Sequence, residues 1–275
     1  MKTLILTPNK QDNCGMYQLA KDLAKEFDGD VGTLKHRNQI KYLDLPTRED
    51  IIIEGKELNI QKYKQIITLL FPMHWLGREY KRRGLHWICY DQKTPPAEKQ
   101  YFPNLLRRQY MKVFNRLNAW SIKGADEYWD VTEREQKPRW TKKRKETELD
   151  LTDYATYIGR RTDYKNFAWL QKTMKDLNIP FKPSRPNSTD DEIWYCLSNA
   201  KMLVTASLWE GYGRPVMEAE ALGIPAVAYD VGSHKRHIKK GICIPLDIKN
   251  IKKSEELFKK AILEVWQRET NKKPG

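Results

Sequence analysis

Seven residues separate two glutamates, Glu210 and Glu218, in the 275-residue chain, and a short glycine-containing segment lies between them. Glycines let a backbone approach a ligand closely. The free N–H groups and the dipole of a helix start favour a phosphate. Glu218 falls one turn into the predicted helix, so its carboxylate can face the same crevice. An isolated Gly-x-Gly is also typical of an ordinary tight turn. The candidate ligand contacts here are Gly211, Tyr212, Gly213 and Arg214, with Pro215 in the first helical turn, where its missing N–H is tolerated.

Two cations, Arg160 and Lys165, follow an apolar run that is typical of a buried strand, Thr156–Ile158. A guanidinium and an ammonium group there can hold a diphosphate and stabilise its negative charge. One cation alone is usually a solvated surface charge. Two cations behind one strand favour an anion site, with Arg161 as the competing arginine.

Short apolar runs that alternate with amphipathic stretches predict the elements that position these residues. The alternation indicates an α/β fold with parallel sheets and right-handed crossovers. In such sheets ligands bind at the carboxyl ends of the strands. The helical patterns include Met16–Phe27 and Phe167–Leu177. The predicted strands are Thr3–Leu6, Ile51–Ile53, Ile66–Phe71, Leu85–Tyr90, Tyr128–Val131, Thr156–Ile158, Met202–Ala206 and Ala226–Ala228.

The chain length favours two domains, since domains usually hold ~100–200 residues. The stretch 133–152, which contains Pro138 and a run of basic residues, lacks apolar periodicity and marks the junction. We therefore predict domains at 1–150 and 151–250. Residues 251–275 form a C-terminal helix that Ser254 is expected to cap. Its apolar stripe packs on the second domain or crosses back to the first.

The composition gives a formal net charge of +14, which favours an anionic partner. Nucleic acid, an anionic lipid surface and a nucleotide diphosphate all qualify, and a solvated lysine-rich surface is the alternative. No apolar run approaches the ~18–20 residues that span a bilayer. The amino terminus lacks the pattern of a secretory signal. Together with four singly placed cysteines, this predicts a cytoplasmic protein with reduced thiols.

The segment from Glu210 to Pro225 resembles the signature of retaining glycosyltransferases of the GT-B fold, specifically glycosyltransferase family 4 (glycosyl transferases group 1). The resemblance implies two Rossmann-like parallel-sheet domains that face a central cleft, the first on the acceptor side and the second binding a nucleotide sugar. It implies transfer with retention and without a metal or another cofactor. Glu210 would face the donor sugar, Glu218 would hold the ribose hydroxyls, and Arg160 and Lys165, at the family spacing, would hold the diphosphate.

Weaker matches and departures concern the first domain. Gly15 stands where the family usually has a glycine pair near the donor phosphate. A histidine from this domain often reaches the sugar in the family, but Asp91 occupies its place here, with His74 at the preceding predicted strand end as the substitute. A histidine beside a tryptophan is also commonly a packed core residue. The family's acidic residue after a glycine pair is absent from the stretch 231–236.

A basic amphipathic helix, Leu105–Trp120, is predicted in the first domain. Such a helix could dock on anionic lipid, hold nucleic acid, or cover the core with a solvated face. The acceptor stays open among glycan, lipid, protein and nucleic acid. The alternatives to the leading hypothesis are a glycosyltransferase that modifies nucleic acid and a non-catalytic nucleic-acid-binding protein on a degenerate GT-B fold.

Overall fold

The computed structural model describes residues 2–8, 15–34, 50–53, 56–91, 93–136, 138–140, 153–186 and 188–271. Most of the predicted junction, and Asn13 and Cys14 of the amino-terminal match, lie outside these ranges. The chain forms two compact units. Unit 1 comprises 1–97 and 105–137, and unit 2 comprises 98–104 and 138–275.

Unit 1 is built on one sheet with the strand order β4-β3-β2-β1-β5-β6-β7. The strands from β2 to β7 in this order are parallel, whereas β3 pairs antiparallel with β2 and β4 antiparallel with β3. The elements are β1 (Lys2–Thr7), α1 (Gly15–Glu26), β2 (Gly29–Leu34), β3 (Ile51–Ile53), β4 (Lys56–Glu57), β5 (Tyr63–Leu69), α2 (Met73–Lys81), β6 (His86–Asp91), α3 (Leu105–Ser121) and β7 (Glu127–Asp130).

Unit 2 has a fully parallel sheet with the order β12-β11-β10-β8-β9. Because β8 and β10 are neighbours, the segments that follow them start side by side. This adjacency brings the residues after 157 to those after 205. The elements are β8 (Ala155–Tyr157), α4 (Phe167–Asp176), β9 (Phe181–Pro183), α5 (Asp190–Ser198), β10 (Met202–Thr205), α6 (Arg214–Ala221), β11 (Ala226–Tyr229), α7 (His234–His237), β12 (Ile242–Ile244) and α8 (Ile251–Thr270).

The predicted α/β class with parallel sheets is confirmed, and the unpredicted strands β2, β4, β9 and β12 have a common feature. They are short or contain glycine and proline, which hide the apolar pattern of a strand. A Cβ on Gly29 would lie 2.5 Å from the Thr3 carbonyl oxygen of β1. A Cβ on Gly241, just before β12, would lie 1.8 Å from the Ala226 carbonyl oxygen. The close backbone approach therefore requires glycine where a strand pattern would show a side chain.

The prediction that Ser254 caps the last helix is wrong. Helix α8 begins at Ile251, and Asn250 is its N-cap, with a side chain that accepts from the Lys253 N–H. Ser254 is buried inside the first turns, and its Oγ accepts from the Asp247 N–H at 2.8 Å. The apolar stripe of α8 is buried in the core of unit 2. Among the described residues, no helix is both long and apolar enough to cross a membrane.

Candidate active site

Lys165 and Glu210 form an ion pair at the carboxyl edge of the unit 2 sheet. Lys165 ends a 3-10 turn (Asp163–Lys165) after β8, and Glu210 lies in the loop after β10. Both side chains are only 13% exposed. Burial opposes ionisation of Glu210, but Lys165, His234 and a hydrogen bond from Ser207 together hold the pKa of its carboxyl below the usual value. The site thus contains a largely buried carboxylate in its ionised form.

Arg160 lies at the surface beside this pair. Its Nη2 donates to the Tyr164 hydroxyl at 3.1 Å, and its carbonyl oxygen accepts from the Tyr157 hydroxyl at 2.6 Å. Arg161 instead places its guanidinium over the Phe167 ring, 4.7 Å from the centroid. A guanidinium carries five N–H donors, so Arg160 keeps donors for an anion after its bond to Tyr164.

The glycine loop, residues 211–213, places the start of α6 at the same carboxyl edge of the unit 2 sheet. Gly213 is the N-cap, in the left-handed conformation with φ 73°, and no side chain caps the helix. Pro215 lies in the first turn, as predicted. The first N–H groups of a helix have no partner within it. They carry a partial positive charge at the end of this loop.

Helix α6 continues to Glu218, whose carboxylate is fully buried beneath Arg139. Arg139 Nε and Nη2 donate to the two Glu218 oxygens at 2.6 and 2.8 Å, in a bidentate fork. Arg139 Nη1 donates to Asp190 Oδ1 at 2.5 Å, and Arg214 Nε lies 3.6 Å from Glu218 Oε1. Burial lowers the pKa of Arg139, but Glu218 and Asp190 outweigh it and raise that pKa. The structure therefore shows Glu218 covered by an arginine that the sequence analysis did not select.

His234 is a second residue that the sequence analysis missed, in the stretch noted only for its departure from the family. The imidazole is buried, and Nδ1 donates to the Tyr229 carbonyl oxygen at 2.9 Å. Among the described residues, Nε2 has no hydrogen-bond partner. A Cβ on Gly213 would lie 2.4 Å from that nitrogen, so the ring packs directly under the loop. Burial chiefly lowers the pKa of His234, which favours the neutral ring.

Tyr212 lies within the glycine loop, is buried, and connects the loop to the stretch 231–237. Its carbonyl oxygen accepts from the Ser233 hydroxyl, and its ring packs on His237 with 4.9 Å between centroids. The guanidinium of Arg236 lies 5.5 Å from the Tyr212 centroid. Gly211 also makes a close backbone contact, because a Cβ on Gly232 would lie 2.3 Å from its carbonyl oxygen. The stretch 231–237 therefore fixes the position of the glycine loop.

Three predicted residues belong to unit 1. His74 lies in α2, not at a strand end, and is fully buried: the Trp87 indole N–H donates to Thr68 Oγ1 at 2.8 Å, which in turn lies 2.9 Å from His74 Nδ1. This is the environment of a packed core residue, so we propose no catalytic role for His74. Asp91 ends β6, and its Oδ2 accepts from the Tyr128 hydroxyl at 2.7 Å. Gly15 begins α1.

Unit 2 contains a cavity of about 910 Å³ that is lined in part by sequence neighbours of Arg139 and Asp190. Its lining includes Trp140, next in sequence to Arg139, and Asp191, next to Asp190. The indoles of Trp140 and Trp194 offer flat apolar walls, while Arg185 and Glu192 add charges. No group of three or more His, Cys, Asp and Glu side chains that could hold a metal ion occurs within the described ranges.

Two solved structures share the fold along nearly the whole chain. Sucrose-phosphate synthase from Thermosynechococcus elongatus aligns with a TM-score of 0.54 and 13% identity, over 98% of this chain and 91% of that chain. The apo form of the lipopolysaccharide outer core galactosyltransferase WaaB aligns with a TM-score of 0.59 and 12% identity, over the same two shares. No curated protein matches the sequence.

These similarities define the fold class as GT-B, with one parallel-sheet domain in each unit. Residues 184–273 match the family model of glycosyl transferases group 1, and this range contains the glycine loop with both glutamates. The chain is therefore similar in fold to these two proteins, and in sequence, over residues 184–273, to the glycosyl transferases group 1.

Proposed function

We propose that the protein transfers a hexose from a nucleoside-diphosphate sugar to an acceptor, with retention and without a metal or another cofactor. The observation that carries this proposal is the ionised, largely buried Glu210 paired with Lys165 at the uncapped start of α6. The two structural neighbours are by name a galactosyltransferase and a sucrose-phosphate synthase, which supports hexose transfer. The acceptor class stays open among glycan, lipid, protein and nucleic acid.

The diphosphate binds the positively charged groups that follow β8 and the N–H groups at the start of α6. An ammonium group has three donors, so Lys165 can hold Glu210 and still donate to phosphate oxygens. Arg160 adds a guanidinium, and the first N–H groups of α6 add their partial charge. These groups take the place of a divalent cation in this proposal, because they stabilise the charge that grows on the diphosphate as the sugar leaves.

The nucleoside binds further along α6. The carboxylate of Glu218 can accept hydrogen bonds from both ribose hydroxyls, but it has no exposed surface while Arg139 covers it. Nucleotide binding therefore requires Arg139 to release Glu218. The base then extends toward the indole-lined cavity at Trp140 and Trp194.

In a retaining transfer the acceptor approaches the face from which the diphosphate leaves. The departing phosphate oxygen then takes the acceptor proton, so no separate protein base is needed. Glu210 orients the sugar and stabilises the positive charge that develops at the anomeric carbon. Its fixed negative charge and low exposure suit that role.

The proposal is tested with Glu210→Gln, after a thermal-shift screen of nucleotide sugars has identified the donor. Because the charge acts mainly in the transition state, turnover should fall about 100-fold or more, while the Kd for the donor changes little. EDTA should leave the wild-type rate unchanged, and NMR should show an α-linked donor sugar still α-linked in the product. An inverted product would overturn the mechanism, and equal losses of turnover and affinity would reassign Glu210 to simple binding.

A further inference from the structure

Helix α3 presents an apolar stripe to solvent. Most exposed large apolar side chains of the described residues lie on this helix, and Leu106 is the most exposed at 81%. Residues spaced seven apart share one face of a helix. The stripe consists of Leu106, Tyr110 and Val113, whereas Trp120 further along the same face is stacked on Trp75 of α2.

Only a narrow face of α3 packs on unit 1. Phe114, Asn118 and Ser121 are its buried residues, and the Asn118 side chain accepts from the Phe71 N–H at 3.3 Å. The apolar stripe is therefore surplus to what the core of unit 1 uses. Contiguous exposed apolar surface rimmed by polar residues commonly marks an interaction site.

A basic row, Arg108, Lys112 and Arg116, runs beside the stripe at i, i+4 spacing. The 17 residues of α3 include no acidic side chain. In neighbouring α2 and the β7 region, Glu79 is paired with Arg83 and Asp126 with Lys81, so these acids do not face the row unpaired. The surface of α3 thus combines exposed apolar side chains with a row of positive charge for which the described residues show no ion pair.

We propose that α3 docks the protein on an anionic membrane surface, with the apolar stripe inserted at the headgroup level and the basic row on lipid phosphates. This combination is that of an interfacial amphipathic helix. Nucleic acid would satisfy the basic row but would leave Leu106 and Val113 in water. The proposal does not depend on the glycosyl transfer chemistry, since it uses only residues of unit 1.

The test is co-sedimentation of the full chain with vesicles of phosphatidylcholine alone and of phosphatidylcholine mixed with phosphatidylglycerol. We expect binding to the mixed vesicles, weakened by added salt, and much less binding to the neutral ones. Lys112→Gln/Arg116→Gln should lower the partition coefficient about 30-fold, at ~1 kcal/mol for each cation. The charge control is Lys172→Gln/Lys175→Gln on α4, whose side chains are also exposed.

The apolar contribution is tested separately with Leu106→Ala/Val113→Ala, which should also release the protein from mixed vesicles. Leu257→Ala on α8 removes a leucine that is 42% exposed, close to the exposure of Val113, and serves as its control. Failure to bind mixed vesicles, or losses equal to those of the controls, would overturn the proposal. So would oligonucleotide binding, measured by fluorescence anisotropy, that depends on the basic row when vesicle binding does not. Because no donor is present in either assay, these outcomes are independent of the proposed transfer.

Discussion

At the scale of single residues, the proposed nucleotide site implies that Arg139 competes with the nucleotide for Glu218. It satisfies both oxygens of Glu218, which has no exposed surface. A ligand that binds only the released form has its apparent affinity reduced by the fraction of molecules in that form. Arg139→Ala should therefore tighten binding of the nucleoside diphosphate by about 10- to 100-fold, the equivalent of one charge-assisted contact. Isothermal calorimetry measures the change.

The same variant should be less stable without nucleotide, because it leaves the buried Glu218 carboxylate with only the more distant ion pair to Arg214, at 3.6 Å. Thermal shift should accordingly show a lower Tm alone and a larger increase with nucleotide than the wild type shows. Arg134→Ala, which breaks a more exposed arginine–glutamate pair with Glu26 in unit 1, is the control and should leave nucleotide affinity unchanged. Weaker binding by Arg139→Ala would mean that Arg139 holds Glu218 for the ribose instead of competing with it.

The residues that sequence could predict are those carried by local spacing. Glu210, Glu218, Arg160 and Lys165 sit in short segments whose pattern is visible along the chain, and the structure brings Lys165 onto Glu210. Arg139 reaches Glu218 from 79 positions away, and no periodicity in its own segment reports that contact. His234 likewise depends on the sheet order that places the turn after β11 under the glycine loop. Contacts between segments that are far apart along the chain depend on the topology of the sheet and produce no regular spacing of residues in the sequence.

At the scale of elements, continuous apolar runs identified the central strands, such as β1 and β10, because both their faces are covered. The strand β3 was predicted at its observed bounds, but its antiparallel pairing and the two-residue strand β4 were not. For α3 the pattern predicted the helix, but not that most of its apolar side would stay exposed. Periodicity shows that a helix has an apolar side, whereas burial depends on what packs there.

Helix α6 offers an element-scale test, because left-handed glycines stand at both of its ends. Gly213 has φ 73° and Gly223 has φ 76°, so alanine at either position should cost about 1–2 kcal/mol of backbone strain. Only at Gly213 would the new Cβ also meet the buried His234 ring, at 2.4 Å; at Gly223 it would meet the flexible end of Lys240. Gly213→Ala should lose about 1–3 kcal/mol more by urea denaturation.

Nucleotide binding gives the pair of variants a second readout. Displacement of the loop or of His234 should weaken diphosphate binding in Gly213→Ala, whereas Gly223→Ala should bind as the wild type does. Equal stabilities and equal affinities in the two variants would show that the His234 ring can move aside at little cost in free energy. The glycine at 213 would then be needed only for its backbone conformation.

At the scale of the whole molecule, buried histidines make both units sensitive to acid. Burial lowers the pKa of His74 in unit 1 to about 4, against an opposing effect of Asp91. Burial, aided by Arg236, lowers the pKa of His237 in unit 2 to about 4, and burial also lowers that of His234. An unfolded chain takes up these protons near pH 6.5. In the folded state these histidines take up protons only at lower pH. Between about pH 6.5 and 4, the folded state therefore binds fewer protons than the unfolded chain.

Stability rises with pH wherever the unfolded state binds more protons. The free energy of unfolding should therefore fall as the pH drops from about 6.5 toward 4, by about 3 kcal/mol for the fully buried His74 alone, at 1.36 kcal/mol for each pKa unit. Urea denaturation at a series of pH values measures this slope. His74→Gln should flatten the slope for unit 1. A slope that His74→Gln does not alter would show that His74 takes up its proton equally in the folded and the unfolded chain.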